Sequence, residues 1–339
     1  MTTNQEKPKV DILMATYNGE RYIEEQIESL QKQSYSNWSL LVSDDGSSDN
    51  TIEAVARIAQ NDHRIKIVSA NSGFHSSTGN FLFLLKHSSA PYAMFCDQDD
   101  IWLPNKIEES INAMRKAEKA SGEQTPIAIF ADSKIVNKNL ETICESFTST
   151  LNFDPKTVSI GQLMVSNVAQ GATLLLNRSL SALVNSTEIP PSFEHHDHWV
   201  AAIAKATGTL VYIDNQLLLY RQHSDNAVGA DTKESPKERL KSITGRVFRD
   251  SWIRKWGEAE GLFSTRASEL LSRQLPFNPE SKQALSALQP HSLDKRVARI
   301  EVARQYKLLR NTGIYGKACQ LLGLIIPSRI EGIKHQGNR

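Results

Sequence analysis

The sequence predicts an α/β protein: a mostly parallel sheet flanked by helices, followed by a helical C-terminal extension. Three observations carry this. Short apolar runs alternate with amphipathic stretches from Val10 to Cys96, the pattern of a parallel sheet sandwiched by helices. Polar and acidic clusters follow those runs, at the carboxyl ends of strands, where such sheets gather their ligands. Beyond Ala230 the pattern turns helical and polar, broken at Pro276, Pro279 and Pro290.

The first strand is Val10–Thr16 (VDILMAT), and the stretch Glu20–Gln33 carries Tyr22, Ile23, Ile27 and Leu30 at helical spacing. Ser39–Ser43 is the second strand. It breaks into the loop Asp44–Asp49, whose Ser48 or Asp49 can cap a helix starting near Thr51. Ile65–Ser69 is a strand, Asn80–His87 a helix, and Tyr92–Cys96 a strand ending at Asp97, with a further helix after Pro104. Shorter strands follow at Ile127–Ala131, Ala172–Leu176 and Leu210–Ile213, with helices near Ser179–Ser186 and Trp199–Ala206. A boundary near residues 225–235 divides an α/β unit, residues 1–230, from a mostly helical, basic region, residues 231–339.

Composition narrows the class. A chain of 339 residues, 40% hydrophobic and 23% charged, buries one substantial core plus an appendage and is not wholly disordered. Cys96, Cys144 and Cys319 are far apart and form no CxxC, which excludes a disulfide scaffold and a cysteine zinc site and suggests a reducing, cytoplasmic setting. The polar segment Thr2–Lys9 has no apolar signal core, and no apolar run approaches the roughly 20 residues that span a bilayer. Residues 1–230 hold 18 Lys+Arg against 27 Asp+Glu, and residues 231–339 hold 21 against 11, so an acidic body of −9 precedes a basic tail of +10. This division suits cation-dependent chemistry in front and an anionic surface or partner behind; a helical tail of solvated charge explains it equally well.

Four clusters can carry chemistry. In Asp97-Gln98-Asp99-Asp100, three carboxylates in four residues repel one another. A hard cation, Mg²⁺ or Mn²⁺, relieves that repulsion by taking one or two carboxylates plus phosphate oxygens; capping of the next helix is the competing role. In Asp44-Asp45-Gly46 a carboxylate can meet a pyrimidine N–H or ribose hydroxyls, or cap a helix, while Tyr17 after the first strand can pack on a base or enter the core. Glu194-His195-His196-Asp197-His198-Trp199 suggests zinc, but consecutive positions rarely aim three ligands at one metal. Asp197 at the start of a helix, beside the aromatic Trp199, reads better as a general base. In Tyr220-Arg221-Gln222-His223, Arg221 can meet a diphosphate and His223 a metal or phosphate.

In order and spacing these clusters resemble the family 2 glycosyltransferases of GT-A fold, particularly their bacterial rhamnosyltransferase-like branch. The stretches that carry the resemblance are ATYNGERYIEEQIESL (Ala15–Leu30), LLVSDDGSSDNT (Leu40–Thr51), NFLFLL (Asn80–Leu85), FCDQDDIWLPNKIE (Phe95–Glu108), HDHW (His196–Trp199) and LYRQHSDNAVGA (Leu219–Ala230), covering residues 8–230. The resemblance implies a metal-dependent, inverting transferase that moves a sugar from a nucleotide diphosphate sugar, dTDP-rhamnose or a UDP-hexose, to a saccharide acceptor. It implies that Thr16, Tyr17 and Asp45 contact the nucleoside, that Asp97 lies near ribose or metal, and that Asp99 holds Mg²⁺ or Mn²⁺. It further implies that Asp197 is the base and that His223 completes the metal shell. His198 departs from the branch, which usually has an aromatic there; this leaves Asp197 in place and bears on the acceptor contacts expected of His198 and Trp199.

Three rival readings are possible. A nucleotidyltransferase would show a glycine-rich basic loop after the first strand, which ATYNGE is not, and a dehydrogenase would show GxGxxG there. A nucleotide-sugar-binding module without catalysis would have no need to keep Asp97, Asp99 and Asp197 together. For the tail, the apolar group from Ile314 to Ile326 with Lys317, Arg329 and Lys334 fits two occupants. One is the anionic inner face of the cell membrane, as suits a lipid-linked acceptor in cell-surface polysaccharide synthesis; the other is the catalytic domain or a second copy, as in a homodimer. No nucleic-acid partner is expected.

Overall fold

The computed structural model describes residues 7–151, 153–223, 261–289, 296–305 and 308. The boundary expected near residues 225–235 and the apolar group from Ile314 to Ile326 lie outside the described residues. The chain builds β1 (Val10–Thr16), α1 (Ile23–Gln31), β2 (Trp38–Asp44), α2 (Thr51–Ala59), β3 (Ile65–Ser69), α3 (Ser77–His87) and β4 (Tyr92–Cys96). Then follow β5 (Ile101–Trp102), α4 (Lys106–Ser121), β6 (Ile127–Asn137), β7 (Thr142–Cys144), α5 (Ile160–Val165), β8 (Leu175–Asn177), α6 (Arg178–Asn185), α7 (His196–Thr207) and β9 (Thr209–Gln222). Helices at residues 261–272, Pro279–Ala287 and Arg296–Gln305 follow.

One sheet runs through the molecule in the order β3-β2-β1-β4-β8-β6-β9-β5, with β7 on β6. β3, β2, β1 and β4 are parallel, β6 and β9 are parallel, and β8 joins the two groups antiparallel to both β4 and β6. The parallel half comes from helical crossovers, which cover both faces and let its strands read as continuous apolar runs. Side chains alternate between two cores. Leu13, Leu41, Ala93, Phe95 and Phe130 face the layer of α3, α5, α6 and α7; Ile12, Leu40, Met94 and Ile129 face α1, α2 and α4.

The C-terminal helices join the first of these cores. Phe263, Ala267 and Leu270 are buried in it, together with Ala284 and Leu285. Arg266 fixes the contact from within: its guanidinium, 7% exposed, donates to Ser192 O at 2.9 Å and Met164 O at 3.0 Å. Asn278 and Ser281 donate to Lys205 O, and Asn278 N–H donates to Ala206 O, supplying partners for last-turn carbonyls of α7. The opposite end of α7 carries Asp197 in its first turn.

Four local expectations change, the first being that the strand expected at Ile127–Ala131 runs on to Asn137. Ala172–Leu176 was expected as one strand; Gly171–Thr173 is a 3₁₀ turn and the strand is Leu175–Asn177. Leu210–Ile213 extends to Gln222, because β6 and β9 keep pairing across register shifts at Ala131–Lys134. Helix α3 starts at Ser77, capped by Ser76, whose side chain accepts from Gly79 N–H.

Candidate active site

The carboxyl ends of β1, β2 and β4 deliver three loops to one side of the sheet, and the start of α7 faces them. Between them lies a cleft of about 680 Å³. Thr16, Tyr17 and Asp45 line one part of it, Asp97 and Asp99 another, and Asp197 the wall opposite.

The two aspartates after β2 divide their work. Asp44 is buried and organises the loop: it accepts from Thr16 Oγ1 at 2.8 Å, from Ser47 Oγ at 2.6 Å, and from the backbone N–H groups of Gly46 and Ser47. Gly46 takes φ 88°, which a residue with a Cβ rarely adopts. Asp45 reaches the cleft but is held by the loop after β3, accepting from Ser72 Oγ at 3.0 Å, Phe74 N–H at 2.6 Å and Ser76 N–H at 2.9 Å. Burial alone would raise its pKa; the hydrogen bonds from Ser76, His75, Ser72 and Phe74 outweigh it and hold the carboxyl below its ordinary value. Tyr17 lies at the cleft and is 58% exposed, which excludes the core alternative.

The turn after β4 concentrates charge. Burial, then Asp99 and Asp197, push the Asp97 carboxyl up to about 7; burial, then Asp99 and Asp97, raise Asp100. Lys106, fully buried at the start of α4, lies behind the turn, with Nζ donating to Ala172 O and 3.4 Å from the centre of the Trp102 ring. Burial pushes this ammonium down to about 7 against the pull of Cys96, Asp100 and Asp97. Asp99 Oδ2 lies 2.8 Å from His223 Nε2, so β9 brings the late histidine to the acidic turn.

The residues fit a divalent cation. Among the described residues no group of three or more His, Cys, Asp or Glu side chains forms a complete metal site. Asp99 and His223 form a two-residue donor set in a turn that crowds Asp97, Asp99 and Asp100, whose charge the buried Lys106 and, at Asp100, the Arg221 N–H only partly offset. Mg²⁺ and Mn²⁺ are commonly held in this way, with substrate phosphates and water filling the remaining positions.

Asp197 sits in the first turn of α7. Its Oδ1 accepts from His198 N–H at 2.6 Å and its Oδ2 from Gly171 N–H at 3.1 Å. Burial raises its pKa above the ordinary 3.8, tempered by the His198 N–H, by His195 and by the Gly171 N–H. Its neighbour His196 packs against Phe81 and Phe95, with ring centres 4.3 and 4.6 Å away, and burial pushes that imidazole down to about 3, so it is neutral at physiological pH.

Four expected site residues do not line the cleft, among them His223, which meets it only through its 2.8 Å contact with Asp99. Trp199 is fully buried and packs edge-on against Phe193 at 5.0 Å. His198 is 5% exposed, its Nε2 paired with Leu163 O. Both follow Asp197 on α7 and turn into the core, so the acceptor contacts expected of them are corrected. Arg221 is also corrected as a diphosphate ligand. It is 2% exposed, donates to Asp99 O, Lys138 O and Glu25 Oε2, and lies over the Tyr22 ring; it braces the acidic turn from behind.

Other cleft residues carry no functional expectation from the sequence: Gln98, Phe147, Gln170, Gly171 and Tyr220. For α5 just before this wall, a capping box at Ser159 and Gln162 was a readable signal. The contact between Gly171 and Asp197 had none.

The family model for glycosyl transferase family 2 matches residues 11–166. The Escherichia coli UDP-Glc:alpha-D-GlcNAc-diphosphoundecaprenol beta-1,3-glucosyltransferase WfgD is 33% identical over 171 residues, 50% of this chain and 61% of that protein, so the chain spans less than two thirds of this relative. The Shigella flexneri dTDP-rhamnosyl transferase RfbG is 30% identical over 247 residues, 71% of this chain and 81% of that protein. Among solved structures, S. aureus TarS 1-349 in complex with UDP-GlcNAc superposes with a TM-score of 0.51 at 15% identity, covering 94% of this chain and 89% of that one.

Proposed function

The chain belongs to glycosyl transferase family 2, and from that membership we propose that it moves a sugar from a nucleotide diphosphate sugar to a saccharide hydroxyl, with inversion at the anomeric carbon. The observation that carries this reading is the meeting of Asp97, Asp99 and Asp197 in one cleft whose other end is lined by Tyr17 and Asp45.

In this reading the nucleobase lies against the exposed Tyr17 ring. Asp45 and Thr16 flank the nucleoside, Asp97 faces the ribose or the cation, and Asp99 with His223 would hold Mg²⁺ or Mn²⁺. When bound, the cation neutralises charge developing on the departing diphosphate. Asp197 takes the proton from the acceptor hydroxyl as its oxygen bonds to the anomeric carbon, and the bond from that carbon to the diphosphate breaks on the opposite face. General base catalysis of this kind contributes about 10²–10⁴-fold. The raised pKa of Asp197 suits it to the task, since a more basic carboxylate is a stronger proton acceptor when ionised.

The relatives' names carry two donors, dTDP-rhamnose and UDP-glucose, and one of them includes a diphosphoundecaprenol acceptor. A lipid-linked saccharide in cell-surface polysaccharide synthesis is therefore the proposed acceptor class. Peripheral contact of the basic region 231–339 with the cytoplasmic membrane face accompanies it. Among the described residues no helix is long and apolar enough to cross a membrane.

The test is turnover across a panel of nucleotide sugars with Mn²⁺ and a lipid-linked saccharide acceptor. One UDP-hexose or dTDP-rhamnose should be consumed with an inverted glycoside as product. Nucleotide binding without turnover of any donor would leave a binding module, and a retained anomeric configuration would remove Asp197 as the base of a single displacement.

A further inference from the structure

Gln98 stands between the two aspartates of the acidic turn, and its side chain reaches across the cleft floor to the loop after β1. Tyr17 N–H donates to Gln98 Oε1 at 2.9 Å, and Gln98 Nε2 donates to Tyr17 O at 2.9 Å. One amide thus satisfies both backbone groups of one residue, as a neighbouring strand would. The space it occupies exists because residue 19 is glycine: a Cβ there would lie 2.2 Å from Gln98 Oε1 and 2.5 Å from its amide carbon.

The opposite side of the same loop is tied to the segment after β2. Asn18 N–H donates to Ser47 Oγ, Gly19 N–H to Thr51 Oγ1, and Glu20 N–H to Asp49 Oδ2. Asn18 itself takes φ 47°, in the left-handed region. These bonds hold residues 18–20 but leave the Tyr17 peptide groups to Gln98. Tyr17 has little packing to hold it, the residue being 58% exposed.

We infer that Gln98 is a positioning residue that latches the Tyr17 backbone to the acidic turn and so sets the nucleoside platform at a fixed distance from Asp97 and Asp99. The inference rests on the proposed function, because it needs a nucleoside against Tyr17. Gln98 touches neither the acceptor hydroxyl nor the reacting carbon. It transmits the placement of the acidic turn to Tyr17, so its loss weakens nucleotide binding before it slows the chemical step.

A double-mutant cycle on the full chain tests this, with UDP and dTDP as probes in the presence of Mn²⁺ and calorimetric Kd as the readout. Gln98→Ala removes both bonds; Gly19→Ala displaces the amide while leaving Gln98 in the sequence. Each should raise Kd about tenfold, and the pair together should also raise it about tenfold, not a hundredfold, because the alanine at 19 has nothing to displace once the amide is gone. Gln98→Glu keeps an acceptor for Tyr17 N–H but sets a carboxylate against Tyr17 O, and should fall between wild type and Gln98→Ala. With the donor that turns over, KM should rise in the same order while kcat stays within about twofold. If Gly19→Ala does not fold, the two Gln98 variants carry the test through Kd and the KM–kcat split. Multiplicative losses in the cycle, or wild-type Kd in Gln98→Ala, would overturn the latch while leaving the transferase reading intact. A wild-type chain that binds neither nucleotide would overturn the function and the latch with it.

Discussion

Gly171 donates its backbone N–H to Oδ2 of Asp197 across 3.1 Å, joining the turn before β8 to the first turn of α7. The bond leaves the carboxylate a fixed orientation and a free lone pair. It also explains why position 171 has no side chain: a Cβ there would lie 3.1 Å from His196 Nε2 and 3.3 Å from Asp197 Cβ.

Gly171→Ala should therefore lower kcat about tenfold with little change in nucleotide Kd, since a shift of this size at a positioned base is felt in the reaction geometry and not at the nucleoside. Steady-state kinetics beside calorimetry with UDP or dTDP would show it. A rise in Kd with unchanged kcat would mean that the Gly171 turn serves the donor instead.

The pH profile follows from burial. Asp197 acts as a base only when ionised, and its pKa lies above the ordinary carboxylate value. Activity is thus present above that raised pKa and is lost as pH falls through it, so the acidic limb of kcat should lie at higher pH than an exposed aspartate gives. An acidic limb at or below the ordinary value of 3.8 would show that Asp197 is not the titrating group.

Asp99→Ala removes half of the Asp99–His223 donor pair. Turnover should fall by at least about a hundredfold, corresponding to several kcal/mol of leaving-group stabilisation, and EDTA should inhibit the wild type. Mg²⁺ or Mn²⁺ should restore activity after EDTA, with no requirement for Zn²⁺. Near-normal turnover of Asp99→Ala at saturating Mn²⁺ would exclude Asp99 as the ligand.

Arg266 supplies a test of the C-terminal packing. Arg266→Met leaves the carbonyls of Ser192 and Met164 without their buried donor, and should destabilise the chain by about 1–3 kcal/mol in urea unfolding. An unchanged midpoint would mean that helix 261–272 contributes little to the stability of the catalytic core.

Much of the architecture is legible because its strands are buried on both faces. Val10–Thr16 and Tyr92–Cys96 are such apolar runs, ending where polar clusters begin, and the structure has them at those residues; the edge strand Ile65–Ser69, with Lys66 exposed and only Ile65 buried, also lies at its expected residues. Strand β9 is harder to read: Asp214 and Asn215 look like a break, yet pairing with β6 resumes at Gln216, opposite Asp132. For the site, a carboxylate at a strand end is visible in one dimension, whereas the direction of a neighbouring side chain is not. Arg221 and Trp199 sit beside reactive residues in the chain and point away from the cleft, and Gln98 and Gly171 act through contacts 81 and 26 residues distant.

The central claim is that Asp197 is the base of a sugar transfer carried out in this cleft. The most direct measurement compares Asp197→Asn with wild type for transfer rate and for nucleotide Kd, with Mn²⁺ present. The substitution keeps the size of the side chain and one oxygen, which can accept from the Gly171 N–H or the His198 N–H but not from both; the account predicts a loss in kcat of about 10²–10⁴-fold with Kd within about twofold. Residual transfer near the wild-type rate, or a collapse in nucleotide affinity with catalysis retained, would contradict it.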